Sequence, residues 1–519
     1  MPNGRRFFRK TKTQEQGRHQ SFTQALDGEY AFRNDPGTKP PLETYNDATK
    51  ELQEIIGECL QDGKKLRARG SLWSLSTAAV TDGRLLDATA LRLAFRIPKA
   101  LTVLNDAGAA RLRFVECGNS IAALNDYLFG EKLSLPASGS NNGQSLAGAL
   151  STGTHGGAYK FGAIPEMVVG LHLVTGPNKQ VYLERQSRPI MTPNFAQSLG
   201  AEFKQDDTLF NAALVSFGAF GVIHGIMIEA RPLFTLNAIR FKRPYDAALK
   251  AAIDAYDPTM IPLPAAANAV PKEKPYHFEV FLNPNDDAAP KSAFVLVMYE
   301  DAYDPGSYAP PLWDGGQSGM GASGLDVMGA LLDNIPSPLD QLVVPFLNTE
   351  VENEFSPYVK KAVIRDLFRG EKVLGKTLAC GVGIPADRAN EAMDIAIKTY
   401  KDAGDVLPVI LSHRFVKGTK ALLGFTRFDR TAVFEIDSVN TPKTRAYFEK
   451  VWADLDAAGI PFTLHWGKYN SFLTAARVRN RYGAAAVDQW IASREALLES
   501  PAVRQVFSNA FMTKLNLST

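Results

Sequence analysis

The 519-residue chain has only three cysteines, Cys59, Cys117 and Cys380, and none has metal-ligand spacing. So odd and sparse a set excludes a disulfide framework and points to a reducing, cytoplasmic setting. No run approaches the roughly 18 consecutive apolar residues that a transmembrane helix needs. The sequence has no C-x-x-C, no H-E-x-x-H and no calcium-loop spacing, so no metal centre is expected. It also lacks a Gly-x-Ser-x-Gly elbow; the near match Gly139-Ser140-Asn141-Asn142-Gly143 reads as a turn. Neither sign of charge is in excess. A net charge of +2 gives no reason to expect nucleic acid or an anionic membrane as partner. Arg5-Arg6-Phe7-Phe8-Arg9-Lys10 mimics a twin-arginine export signal, but the mostly polar stretch Thr11 to Gln24 lacks the apolar segment that must follow. Residues 1–24 are therefore expected to form a basic, disordered arm.

The rest of the composition, 45% hydrophobic and 22% charged, is that of a globular protein, and its length calls for two or more domains. Residues 46–62 read as an amphipathic helix with Asn46 as cap and Gly63 as stop. Short strands are expected at Lys65–Ala68, Leu85–Asp87 and Leu112–Val115, with a helix near Ile121–Leu128. Val168–Thr175 and Gln180–Glu184 flank Gly176-Pro177-Asn178, a hairpin signal. Val222–Glu229 is a further strand, and Pro232 marks a domain boundary.

Beyond it, Thr377–Ile384, a helix over 385–403 and a strand near Val406–Leu411 form one unit. Ala432–Ile436, a helix over 442–458 capped by Thr441, and Phe462–His465 form another. This order predicts an antiparallel sheet with helices on one face. Between the boundary and these units lies Pro305–Asn348, rich in Gly and Pro and then apolar around Leu342 and Phe346. Connections of that length are usually lids, oligomer contacts or binding loops.

Two segments carry the chemistry. Ser145 to Gly157 holds four glycines, two serines, two threonines and one histidine, and periodicity places it neither as helix nor as strand. Glycine lets backbone approach a ligand, and successive N–H groups with short hydroxyls cradle phosphate. Arg67-Ala68-Arg69-Gly70-Ser71-Leu72-Trp73-Ser74 adds hydroxyls and two guanidiniums. A literal G-x-G-x-x-G at Gly319–Gly324 has neither a preceding strand nor a distal acidic residue, which argues against a nicotinamide site there.

Both segments resemble loops of the vanillyl-alcohol oxidase (PCMH-type) FAD-binding family, in the branch of aldonolactone oxidases, alditol oxidases and type II cholesterol oxidase. The first is similar to the R-x-x-G-x-G-H-S-x-S loop and the second to S-L-A-G-x-x-x-T-G-T-H-G. Gly218 with Gly221-Val222-Ile223 resembles the G-x-x-G-V-I strand, His465-Trp466-Gly467-Lys468 the H-W-G-K signature, and Trp490 to Leu515 the closing helix. The resemblance implies an α+β fold, with a two-subdomain FAD domain over 25–235. A substrate domain over 236–475 and a C-terminal return over 476–519 would complete it.

The resemblance also implies the reaction. A CH–OH group of a small alcohol, lactone or sterol-like substrate would give a hydride to flavin N5, and O2 or another acceptor would reoxidise the flavin. The cofactor contacts it implies are Arg69, Gly70, Ser71, Leu72, Trp73, Ser74, Ser145, Gly148, Ser151, Thr152, Thr154, His155, Gly157, Val222, Ile223 and Lys468. Arg414 and Lys468 are the candidate cations, Ser412 shares the face of Arg414, and His465, like His413, is a candidate base. Glu435 reads as a salt-bridged structural carboxylate, and His172 and His224 as packed strand histidines.

The chain departs from the family twice. Leu72 and Trp73 stand where many members have glycine and the histidine that bonds flavin C8α, so the FAD is expected to be non-covalent, with His155 the alternative link. Ser412 stands where a Glu-x-Arg pair would place its glutamate. These departures keep open a flavin binder without turnover, or a flavoprotein of oxygenation or oxidative cyclisation. The apolar loop suggests a substrate or access route less polar than a sugar acid.

Overall fold

In the computed structural model the described residues are 6–33, 39–310, 339–368 and 375–518, with positions 332, 334, 335 and 337. The glycine motif 319–324 lies outside them. From residue 6 onward the N-terminal segment is ordered, contrary to expectation. Strand β1 (Phe7–Lys10) pairs antiparallel with β2 (Gly28–Phe32). Two features pin it: Phe7 is buried, and the Arg6 and Phe7 N–H groups donate to the Glu51 carboxylate at 2.8 Å each. The basic residues are also spoken for, since Lys10 and Lys12 both meet Glu29.

Helix α1 (Pro41–Gln61) begins five residues before the expected cap, because Pro41 has its φ preset and has no N–H to satisfy. Asn46 instead donates to the Ser198 carbonyl at 2.9 Å. Tyr45, Ala48, Leu52, Ile55, Ile56 and Cys59 form its buried stripe. Strands β3 (Leu66–Arg69) and β4 (Arg84–Asp87) complete a four-stranded sheet of order β1-β2-β4-β3.

A second sheet is built from β5 (Ala94–Arg96), β6 (Leu112–Glu116), β7 (Val168–Gly176), β8 (Lys179–Glu184), β9 (Glu202–Gln205) and β10 (Val222–Glu229). Its order is β9-β8-β7-β10-β6-β5, and the β7–β8 hairpin forms at the expected turn. Short helix α2 (Leu146–Thr152) occupies half of the glycine-rich segment, with the Ser145 hydroxyl accepting from Gly148 N–H at 3.3 Å. Gly153 ends it at φ +74°, a left-handed value that favours glycine.

The second domain is an eight-stranded antiparallel sheet. Its strands are β11 (Phe234–Pro244), β12 (Pro275–Leu282), β13 (Ser292–Ala302), β14 (Tyr358–Ala362), β15 (Thr377–Pro385), β16 (Ile410–Lys417), β17 (Arg430–Val439) and β18 (Thr463–Leu464). The order is β14-β11-β13-β12-β16-β17-β15-β18. Helix α3 (Val344–Glu354) precedes β14. Helices α4 (Ala389–Ala403) and α5 (Pro442–Ala457) pack on each other and on β17, covering one face. Thr441 caps α5 as expected, accepting from Thr444 N–H at 3.1 Å. The strand expected near Val406 starts later, at Ile410, and runs to Lys417.

The chain then returns to the first domain. On helix α6 (Ala484–Leu497), Trp490 donates to the Val215 carbonyl at 3.1 Å, and Arg494 donates to the carbonyl of Ala219 at 2.9 Å and the Ser508 hydroxyl at 3.0 Å. Asn509 reaches the Val80 carbonyl at 2.7 Å.

Candidate active site

Strand alternation builds the floor of the site. On β16, His413 and Phe415 turn toward the helices, while Ser412 and Arg414 turn to the opposite face. Across the sheet Arg414 stands beside Glu279 of β12, and Ser412 lies between Phe281 of β12 and Glu435 of β17. Beyond Glu435 comes Gly381 of β15, where a side chain would crowd His465 and Lys468 at 3.3 Å. Glycine there leaves room for Lys468 to reach over the strand.

The result is a network of alternating charge. Arg414 Nε bonds Glu279 Oε1, and its Nη1 lies 3.0 Å from Glu435 Oε2. Lys468 Nζ bonds Glu435 Oε1 and stands 3.9 Å from Asp437. His155 Nε2 lies 3.5 Å from Glu435 Oε1, and its Nδ1 donates to the Gly156 carbonyl at 3.1 Å. Burial opposes charge on Glu435, yet Arg414, Lys468 and His155 hold its carboxyl well below the usual range. Glu279 is held low by Arg414 and His277 against burial, and the carboxylates around Arg414 and Lys468 push both cations up.

His465 does not meet its expected role as a base. Its Nδ1 accepts from Gly467 N–H at 2.9 Å, so the proton of the neutral ring sits on Nε2. Burial, with His155 and Lys468 nearby, keeps it neutral by pushing its pKa well below 6.5. The ring can donate but has no lone pair left to take a proton. His413 is buried among the helices, its pKa lowered to about 3, and does not line the site. Ser412 is fully buried and does not reach the cavity.

One cavity of about 530 Å³ joins this floor to the two loops, a size within the range of small-molecule sites. Arg69, Gly70, Ser71, Leu72, Trp73, Ser74, Ser145, Gly148, Ser151, Thr152, Thr154, His155, Ile223, Arg414, His465 and Lys468 all line it. Gly157 and Val222 do not. Gly157 lies against the His277 ring, and Val222 points into the core beneath α1. The loops touch at Gly70, where an added Cβ would fall 1.9 Å from Ser145 Oγ. The first loop is tied to the H-W-G-K turn by Leu75 N–H to the Gly467 carbonyl (2.8 Å) and the Ser76 hydroxyl to the Trp466 carbonyl (2.6 Å).

Neither guanidinium of the first loop is available to neutralise a phosphate. Arg69 is bound by Glu29 (3.0 Å) and Asp87 (2.9 Å), and Arg67 bonds the Phe217 and Phe507 carbonyls away from the cavity. Leu72 adopts φ +54°, a left-handed value uncommon for a residue other than glycine. Trp73 packs over Gly143 and edge-on to His19 at 5.6 Å.

This lining fits FAD. Glycine backbone at 70, 148, 218, 221 and 467 lies open to the cavity among serine and threonine hydroxyls, and the lining residues Trp73 and Gln144 hold buried polar atoms (Nε1 and Oε1) without partners. Among the described residues no group of His, Cys, Asp and Glu is arranged to hold a metal, and no helix is long and apolar enough to cross a membrane.

Residues 45–182 match the family model described as FAD binding domain. This segment is a PCMH-type FAD-binding domain, in agreement with the resemblance carried by the two loops. It is similar to an L-gulono-1,4-lactone dehydrogenase of Mycobacterium tuberculosis, 26% identical over 437 residues that cover 83% of this chain and 87% of the relative. A D-arabinono-1,4-lactone oxidase of Yarrowia lipolytica is 27% identical over 203 residues, 39% of this chain and 34% of that protein. Among solved structures, cholesterol oxidase from Brevibacterium sterolicum superposes with a TM-score of 0.67 at 14% identity, covering 99% of this chain and 98% of that one. A solvent-stable cholesterol oxidase gives 0.70 at 15%, covering 98% of each. The protein is an FAD-dependent oxidoreductase of the CH–OH-oxidising type.

Two carboxylates, Glu279 and Asp437, and the outer wall are not apparent from the sequence. Glu279 and Asp437 sit on strands where alternation with apolar neighbours would mark them, whereas Glu435 is the buried, salt-bridged carboxylate that the sequence suggests. The outer wall is formed by Phe281, Asn283 and Asn285 with Leu347, Val351 and Phe355. The last three recur every fourth residue from α3 onward. Leu342 and Phe346, the expected apolar contacts, are instead exposed, at 80% and 44%.

Proposed function

We propose that this flavoprotein oxidises the CH–OH carbon of an uncharged alcohol or lactone with a bulky apolar portion, using FAD held without a covalent bond. The observation that carries the reading is the paired state of the cavity's cations. Arg414 and Lys468 are already matched by Glu279, Glu435 and Asp437, and Glu350 and Glu354 add negative charge at the outer wall. A carboxylate substrate would find no unmatched cation there and would meet repulsion instead. A neutral hydroxyl or carbonyl can still take a hydrogen bond from Arg414 or Lys468 without displacing their partners. Phe281, Leu347, Val351 and Phe355 offer the rest of the molecule an apolar wall.

Bound FAD would supply the acceptor for the hydrogen and electron pair that leave the substrate carbon. The chain's own residues orient the substrate and hold charge. The Arg414 guanidinium, fixed on two sides, stabilises negative charge developing on the substrate oxygen, an effect typically of a few kcal/mol. Lys468, pinned over Gly381, does the same from the other side, and His465 Nε2–H adds a neutral donor. Ser71, Ser74, Ser151, Thr152 and Thr154 contribute hydroxyls to the cofactor, and Gly70 and Gly148 contribute backbone. Trp73 offers no basic nitrogen for a flavin bond, which supports dissociable FAD. Either O2 or another acceptor completes the cycle.

Anaerobic mixing with L-gulono-1,4-lactone, D-arabinono-1,4-lactone, cholesterol and simple secondary alcohols tests the reading. Bleaching of the yellow flavin by a neutral member, with no bleaching by the corresponding hydroxy acids, is expected. A flavin that none of them reduces contradicts it.

A further inference from the structure

We propose that Asp437 is the catalytic base that takes the substrate's hydroxyl proton, an inference that rests on the CH–OH reading above. The other groups near the floor are unsuited to that task. Glu435 is 1% exposed and held by Arg414, Lys468 and His155. His465 has its lone pair engaged by Gly467 N–H, and Lys468 is kept protonated by its carboxylates.

Asp437 differs in position and in contacts. It lies two residues beyond Glu435 on β17 and so on the same face, turned to the cavity. Its backbone neighbours across the sheet are Ile410 and Ala379, both lining the cavity and neither carrying a polar side chain. Almost half of its side chain, 49%, is open, and Lys468 Nζ stands 3.9 Å away, near enough to orient the carboxylate without saturating it.

Desolvation pushes its carboxyl upward. Lys468 and Arg414 oppose that shift, and Glu435 and Glu279 reinforce it. A base shifted toward the reaction pH is the more effective acceptor. In the step, the carbinol C–H hydrogen and its electron pair go to FAD, which is reduced. The O–H pair becomes the second C–O bond, and the released proton passes to an Asp437 oxygen and later to water in the cavity.

The test compares wild type, D437N and D437E as FAD-loaded proteins, using whichever of L-gulono-1,4-lactone or cholesterol bleaches the wild type. Asp437→Asn should slow anaerobic flavin reduction roughly 10²–10⁴-fold with KM little changed, and should abolish the fall in rate on the acid side. Asp437→Glu should recover part of the rate. A loss of only a few-fold, or an unchanged acid limb, overturns the proposal. The second readout needs no turnover: carboxyl titration of the apoprotein by infrared difference should show a raised carboxyl in wild type that is missing in D437N. If no compound bleaches the wild type, the functional reading falls, while this titration still judges Asp437. Titration in the ordinary carboxylate range overturns the proposal in either case.

Discussion

Ser412 and Glu435 face each other directly across two neighbouring strands, and Glu435 supplies one of the two carboxylates that meet Arg414, Glu279 the other. The Glu-x-Arg arrangement expected on one strand is thus divided between two. Arg414 keeps its place two residues after Ser412, and its acid comes from the partner strand. That arrangement makes Glu435→Ser strongly destabilising, because it removes the buried carboxylate shared by Arg414 and Lys468 and leaves Arg414 only Glu279 and Lys468 only the more distant Asp437, at a cost of about 3–5 kcal/mol. The double variant S412E/E435S should recover part of the loss in thermal unfolding. No recovery would show that the position of the carboxylate is not what matters.

Gly70→Ala should leave the protein folded but without pigment. A Cβ at 70 would collide with the hydroxyl of Ser145, which caps α2, so the two loops would be forced apart. Flavin content after purification measures this, and Ser145→Gly added to Gly70→Ala should restore some pigment. Wild-type flavin content in the single variant would argue against the close approach of the loops.

Much of the frame was legible in the residues. The hairpin at Gly176-Pro177-Asn178, strand Val222–Glu229 and the Thr441-capped helix follow from turn chemistry, alternation and capping, all of them local signals. The glycine-and-hydroxyl loops, His155, Arg414 and Lys468 were legible for the same reason: residue type and order carry them. What escaped depended on register between distant strands. Nothing local to Glu279 or Asp437 says that each will face Arg414 or Lys468, and nothing in a basic N-terminal run says that Glu51 will anchor it. Helix α1 starts at Pro41 rather than after Asn46, because a proline at the first helical position outweighs the local cap signal of Asn46.

Arg494→Met should loosen the closing helix and the flavin together. Its guanidinium binds the Ala219 carbonyl and the Ser508 hydroxyl, and Gly218 and Gly221, on either side of Ala219, line the cavity. Hydrogen bonds to a charged group contribute about 1.5–3 kcal/mol each, so unfolding stability should fall by several kcal/mol and FAD should be lost faster on dilution. Unchanged flavin retention would separate the closing helix from the site.

Stability should decline on mild acidification. Burial lowers the folded-state pKa of both His172 and His413 to about 3, against an ordinary 6.5. Above that ordinary value both states are neutral and the stability is fully present. As pH falls from 6.5 toward 3 the unfolded chain binds protons that the folded chain refuses, and stability is lost progressively. Melting temperature at pH 5 should lie below that at pH 7.5, and His413→Leu should flatten the difference. A melting temperature that rises toward pH 5 would contradict this.

The central claim is that the loops around Gly70 and Ser145 hold one dissociable FAD above the Arg414–Glu435 pair. Acid precipitation of the purified protein tests it most directly: FAD is expected in the supernatant at one per chain, leaving a colourless pellet. Flavin that stays with the pellet, or a protein that carries none, would contradict the account.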